Sequence, residues 1–296
     1  MAKTAATDAP HRAIERAVAA PGTAPGDNVL TWLLAKRRPL VMGVLNVTPD
    51  SFSDGGLFMQ PPAAIEHGRR LAAEGADIID VGAESTRPYG GAHAVSAAEE
   101  RERLEPILPT VATIGIPVSV DTMKAAVAAW ALEAGASIVN DVWGLQRDPD
   151  MARVVAEHGA PIVIMHNRET ADPAIDIIAD VAEFFSRSLE IAWAAGIGHD
   201  RIVLDPGIGF GKTAEQSLSC LARLDAFMAF DLPLLVGASR KRFINEVLPS
   251  EPMERLGGSL AAHLIAVENG AAIIRTHDVA PTVQALAIAA AIRRAR

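Results

Sequence analysis

The chain of 296 residues contains a single cysteine, Cys220, so no intrachain disulfide can form and no cysteine-based zinc site can be assembled. Aromatic residues are scarce at 4%, while hydrophobic residues make up 50%, so a core has to be built from Ala, Val, Ile and Leu. Cationic residues are outnumbered, 27 Lys and Arg against 36 Asp and Glu, and the net charge of −9 argues against a broad nucleic-acid surface. No apolar run reaches the roughly 18 residues of a membrane span, and the first thirty residues hold no apolar stretch of a secretory signal. A soluble, cytoplasmic protein acting on small molecules is the expectation. A Gly-x-Ser-x-Gly elbow and a His-Glu-x-x-His zinc motif are also missing.

What the chain does have is a repeating alternation. After a tail over 1–28 whose composition leans towards disorder, short apolar runs occupy 40–47, 77–82, 117–121, 137–141, 161–166, 202–207, 232–239 and 271–278. Each is continuously apolar and rich in β-branched residues, as a parallel strand covered on both faces should be, and the segments between them are long enough for helical crossovers. The stretch 63–74 has helix formers with apolar spacing and stops at Gly75. Eight such units in one domain over 29–296 predict an α/β fold, a (β/α)8 TIM barrel; a doubly wound open sheet is the structural alternative.

Polar residues follow nearly every run: Asn46, Glu84, Asp121, Asn140 with Asp141, His166, Asp205, Ser239 with Lys241, and Arg275 with His277. In a barrel these converge on the C-terminal mouth, where active sites of this fold lie. Taken singly, each has a bland reading as a strand-end or turn residue, and Asp121 and Asp205 suit helix caps. Together they suit a heterocycle with adjacent donors on one edge and acceptors on the other. Asp121, Asp205 and Asn140 supply acceptors, and Asn140 and Lys241 supply donors. The planar guanidinium of Arg275 can stack on a ring while reaching phosphate oxygens. Asn46 offers an amide oxygen to Mg2+, which takes few protein ligands when a substrate phosphate completes its shell. The glycine-rich run Gly207-Ile-Gly-Phe-Gly-Lys-Thr213 is not a Walker A loop, because Pro206 stands where that motif needs Gly, and Lys212 occupies the third glycine of a dinucleotide fingerprint.

Seven blocks, in order, resemble those of the dihydropteroate synthase family: Asn46-Val-Thr-Pro-Asp-Ser-Phe-Ser-Asp-Gly-Gly56, Glu84-Ser-Thr-Arg-Pro88, Val120-Asp-Thr122, Asn140-Asp-Val142, Asp205-Pro-Gly-Ile-Gly-Phe-Gly-Lys212, Ser239-Arg-Lys241 and Arg275-Thr-His-Asp278. They extend from Pro39 to the C-terminus, and the first, eleven residues long, is highly specific. The resemblance implies a transferase of folate biosynthesis and a sulfonamide target. Its substrates would be 7,8-dihydropterin-6-ylmethyl diphosphate and p-aminobenzoate, with Mg2+ as cofactor and a homodimer as the assembly. It further implies that Asp121, Asn140, Met165, Asp205, Phe210, Lys241 and Arg275 hold the pterin, and that Asn46, Arg275, His277 and Lys241 carry the catalysis, Asn46 being the metal ligand. Phe52, Asp54, Thr86, Arg87, Pro88, Ser239 and Arg242 would form the p-aminobenzoate site and its closing loops, with Asp54 pairing Arg87.

The chain departs from the family's pattern at Ala83, often Gly; at Met165-His166-Asn167-Arg168, in place of Met-His-Met-x-Gly; at Trp143; and at Arg242, Ser in some members. Two other readings stay open on sequence alone. A methyltetrahydrofolate methyltransferase on the same barrel would not need Arg275, His277 or the Phe52 loop. A non-catalytic pterin-binding paralogue would bind ligand without forming product. The apolar stretch 283–292 is expected to be buried against the barrel or a partner.

Overall fold

The computed structural model describes residues 28–47, 60–84 and 95–295. Eight parallel strands, β1 (Leu40–Asn46), β2 (Ile78–Gly82), β3 (Val118–Asp121), β4 (Ile138–Asp141), β5 (Ile162–Met165), β6 (Ile202–Asp205), β7 (Leu234–Val236) and β8 (Ala271–Thr276), close into a barrel in sequence order. All eight lie within the apolar runs, and closure, with β8 hydrogen-bonded to β1, excludes the open sheet. Helices pack around the outside; the one over Pro61–Ala73 starts with proline in its first turn and ends before Gly75, whose φ of 99° is the left-handed conformation that glycine accepts without penalty.

The apolar side chains divide into two cores because successive residues of a strand face opposite ways. Leu40, Met42, Ile78, Ile138, Val163, Val203, Leu235 and Ile273 fill the barrel interior. Their neighbours Val41, Ile79, Val139, Ile162, Ile164, Ile202, Leu204, Leu234 and Ile274 join the layer between barrel and helices. The N-terminal end of the barrel is plugged by the helix Val29–Leu34, which adds Val29, Leu30 and Leu33 to the interior cluster. Each such buried aliphatic side chain is worth about 1.5–3 kcal/mol. Asn28 starts this helix, its side-chain Oδ1 accepting from the amides of Leu30 and Thr31. At the same end Asp77 accepts hydrogen bonds from Lys36, Arg38 and the Val41 amide.

Candidate active site

The same two-residue alternation builds the site. Stepping along the inward face from the apolar interior towards the mouth leads from Ile78 to Asp80, from Ser119 to Asp121, from Ile138 to Asn140, from Val163 to Met165, from Val203 to Asp205, and from Ile273 to Arg275. Register sets Asp121 beside Asn140, Met165 beside Asp205, and Asn46 beside Gly82. A Cβ at residue 82 would come within 3.3 Å of the Asp121 Cβ, so glycine there leaves room for the carboxylate.

Arg275 is the hub. Its Nε donates to Asp80 Oδ2 at 2.6 Å, and its Nη2 donates to Asp121 Oδ2 at 2.8 Å. Asn140 Nδ2 donates to the same Asp80 oxygen at 3.1 Å. Asp121 Oδ1 and Asp80 Oδ1 are buried with no hydrogen-bond partner among the described residues, leaving acceptor capacity in the mouth. Burial pushes Asp121 up to about 7, against the attraction of Arg275 and with the help of the Asp80 charge. Neither Asp121 nor Asp205 caps a helix: the helix Ala125–Glu133 begins without a side-chain cap, and Ala214–Ala222 is capped by Thr213. Asp205 instead accepts from the Gly207 amide at 2.7 Å, and burial raises its carboxyl above the usual range despite nearby Lys241.

Lys241 follows β7. Its ammonium lies 4.2 Å from the Phe210 ring centroid and donates to the Ile208 carbonyl. Burial brings this amine down to about 7, opposed by the Asp205 carboxylate. Ser239 Oγ stands 3.2 Å from the His277 amide and 3.1 Å from its Nδ1, so the hydroxyl joins the loops after β7 and β8. Arg240, at φ 57°, strengthens that joint through paired hydrogen bonds to Asp278 at 2.6 and 3.0 Å. Arg242 opens the helix Arg242–Val247 and pairs with Glu246 at 2.9 Å. The amide of Asn46, half-buried at the end of β1, makes no side-chain hydrogen bond to the described residues. These residues also include no cluster of three or more His, Cys, Asp or Glu suited to a metal. Such a single amide oxygen suits Mg2+ held mainly by substrate phosphate, and does not suit a metal needing an all-protein cage.

Asn46, Asp121, Asn140, Met165, Asp205, Phe210, Ser239, Lys241, Arg242, Arg275 and His277 thus all lie at the mouth ends of the strands or in the segments following them. Phe52, Asp54, Thr86, Arg87 and Pro88 lie outside the described residues. Two other strand-end residues turn outward to structural work: Glu84 pairs with Lys124, and Asp141 accepts from the amides of Trp143 and Leu145. Ala83 has no positive φ and so does not need glycine, while Trp143 stacks under Arg147 at 4.7 Å.

Asp80 belongs to the site although it stands outside the sequence blocks. The signal was a carboxylate in the middle of an apolar strand, at the inward position two residues before Gly82, where only a charged partner makes burial tolerable.

The whole defines an α/β-barrel enzyme whose site is a polar mouth with balanced carboxylates and cations. Residues 42–277 match the family described as "Pterin binding enzyme", and the chain belongs to that family. It is 46% identical over 245 residues to the dihydropteroate synthase of Bacillus subtilis, covering 82% of this chain and 85% of that one. Among solved structures, a dihydropteroate synthase from Clostridium difficile determined in the presence of pteroic acid superposes with a TM-score of 0.82 at 44% identity, covering 87% of this chain and 98% of that one. The Xanthomonas albilineans dihydropteroate synthase with 4-aminobenzoic acid gives 0.81 at 45% identity, covering 86% and 93%.

Proposed function

We propose that this chain acts as a dihydropteroate synthase, condensing 7,8-dihydropterin-6-ylmethyl diphosphate with p-aminobenzoate to give 7,8-dihydropteroate and diphosphate in folate biosynthesis. The observation that carries the reading is the gathering of Asn140, Asp205, Lys241 and the doubly paired Arg275 in one barrel mouth. Relatives with this enzyme's name, at 46% identity over most of both chains, support it.

In this reading the carboxylates of Asp121 and Asp205 accept from the amino and ring N–H groups of the pterin. Asn140 matches both donor and acceptor positions, and Lys241 donates to the opposite edge. Met165 and Phe210 form apolar contacts around the ring. Arg275 lies against the ring face and, with His277, stabilises charge building on the departing diphosphate, a role for preorganised donors. Asn46 would hold Mg2+, which when bound neutralises diphosphate charge.

The methylene carbon–oxygen bond breaks, its electron pair leaves with diphosphate, and the cation is delocalised into the pterin. The p-aminobenzoate amine then donates its lone pair to that carbon and releases a proton. No protein nucleophile takes part, in keeping with a buried Cys220 whose thiol burial pushes up to about 11. Ser239 and Arg242 receive the aminobenzoate.

A homodimer belongs to the same proposal. The helix Val279–Arg294 buries Val279, Thr282 and Leu286 against the barrel but leaves Ile288 and Ile292 each 58% exposed. Among the described residues, no helix is long and apolar enough to cross a membrane.

The test is incubation of the purified protein with the pterin diphosphate, p-aminobenzoate and Mg2+, following both products. Equimolar dihydropteroate and diphosphate are expected. Tight pterin binding with neither product would favour a binding paralogue or a methyltransferase.

A further inference from the structure

The glycine-rich segment after β6 is pressed onto the segment after β5. Gly207 and Gly211 have φ of 65° and 53°, and a Cβ at either would fall 2.0 Å from the His166 carbonyl oxygen or 2.4 Å from that of Arg168. Only glycine tolerates both the backbone conformation and this approach. The segment ends at Lys212, which is 3% exposed.

Lys212 Nζ stands 2.6 Å from His166 Nδ1 and donates to the Phe210 carbonyl at 3.1 Å. His166 Nε2 stands 2.9 Å from Asp180 Oδ2, and Arg168 Nη1 donates to Asp180 Oδ1 at 2.7 Å. An ammonium can only donate, so Nδ1 must carry the lone pair and Nε2 the proton, which it gives to the carboxylate. Burial, and then the Lys212 charge, hold His166 down to about 3, consistent with a neutral ring. The Phe184 ring meets the imidazole edge-on at 4.9 Å and closes its remaining side.

We propose that Lys212, His166 and Asp180 form a positioning relay that fixes the segment 207–212, and through it Asp205, Phe210 and Lys241, for pterin binding. Every step is a contact in the structure: Lys212 holds the Phe210 carbonyl, the Phe210 ring lies under the Lys241 ammonium, Lys241 donates to the Ile208 carbonyl, and the Gly207 amide orients Asp205. Arg168, one of the departures from the family's pattern, holds the far end by fixing Asp180. None of the three relay residues is assigned contact with substrate; they act through the segment they hold. The inference rests on the pterin-binding reading of this mouth.

The test is Lys212→Met, which keeps the stem and removes the donors, beside Asp180→Asn, which keeps an acceptor for the imidazole N–H but loses the charge. Calorimetric binding of the pterin diphosphate without p-aminobenzoate is expected to weaken by at least about tenfold in Lys212→Met, with the KM for p-aminobenzoate within about threefold of the parent. Asp180→Asn should fall between. A folded Lys212→Met that binds the pterin within about twofold of the parent overturns the relay. If that variant does not fold, nitrogen NMR of the unaltered protein decides. A neutral His166 protonated on Nε2 across neutral pH is expected, and a charged ring or the other tautomer overturns the relay. An unaltered protein that binds pterin but makes no dihydropteroate would sink the functional reading alone.

Discussion

Arg275 on β8 reaches past β1 to Asp80 on β2, donating from Nε at 2.6 Å to a carboxylate 195 residues earlier in the chain. Asp80 is fully buried, and its Oδ2 also receives the Asn140 amide, so one oxygen orients two of the residues assigned to the pterin. Asp80, Asn140, Asp205 and Arg275 all come from even-numbered strands, which in this barrel architecture supply alternate layers of the interior. Asp80→Asn keeps the shape and removes the charge. It should lower kcat/KM for the pterin diphosphate by about 10–100-fold, the worth of a hydrogen bond to a charged group, with the fold intact by circular dichroism. Unchanged steady-state kinetics would show that Arg275 is held adequately by Asp121 alone.

The pH profile follows from two opposed titrations. Burial raises Asp121 to about 7, so the carboxylate that pairs with Arg275 is lost as pH falls through neutrality. Burial lowers Lys241 to about 7, so its charge is lost as pH rises through the same region. The kcat/KM for the pterin, which reports the free enzyme, should therefore be bell-shaped with both limbs near neutral pH. A profile flat between pH 5 and 9, to take about two units either side, would contradict the roles given to both groups.

Asp77 predicts a stability effect far from the mouth. Burial alone would raise its carboxyl, but hydrogen bonds from Arg38, Lys36 and the Val41 amide outweigh it and hold it below the usual range. A carboxyl depressed in the folded state contributes stability that is present above its unfolded value, about 3.9, and lost as pH falls towards the folded one. Asp77→Ala should cost about 2–3 kcal/mol in denaturant unfolding at neutral pH, less than a fully buried pair because Lys36 and Arg38 are partly exposed. The difference should shrink in strong acid, and an equal loss at both pH values would remove the ion pairs as its cause.

The exposed Ile288 and Ile292 give the homodimer a direct test. Light scattering should return twice the chain mass for the unaltered protein, and the double substitution to Lys should shift it towards monomer by placing two cations in an apolar contact. An unaltered protein that stays monomeric at high concentration would leave those isoleucines exposed and end the dimer proposal.

The barrel was legible because parallel strands covered on both faces must be apolar throughout, and each of the eight runs contains its strand. The mouth was legible because polar residues recur at the ends of those runs. The same continuity hid Asp80, since a strand apolar on both faces gives no period-two pattern to mark which positions point inward. Lys212, His166 and Asp180 were hidden differently. Asp180 reads as an ordinary acid in the first turn of the helix Ile177–Ala194, and only tertiary folding brings the His166 imidazole between it and the Lys212 amine, which lies 46 residues beyond that histidine. Gly211 gave a partial signal, being the last of three alternate glycines, yet spacing alone does not reveal which backbone it must approach.

The most direct measurement compares turnover by the unaltered protein and by Arg275→Ala, following dihydropteroate and diphosphate together in the presence of Mg2+. Stoichiometric products from the former, and a kcat lowered by about 10²–10³-fold in a folded variant, are the results predicted for a guanidinium that stabilises the departing diphosphate. Near-normal kcat in the variant, or diphosphate released without dihydropteroate by the unaltered protein, would contradict the account.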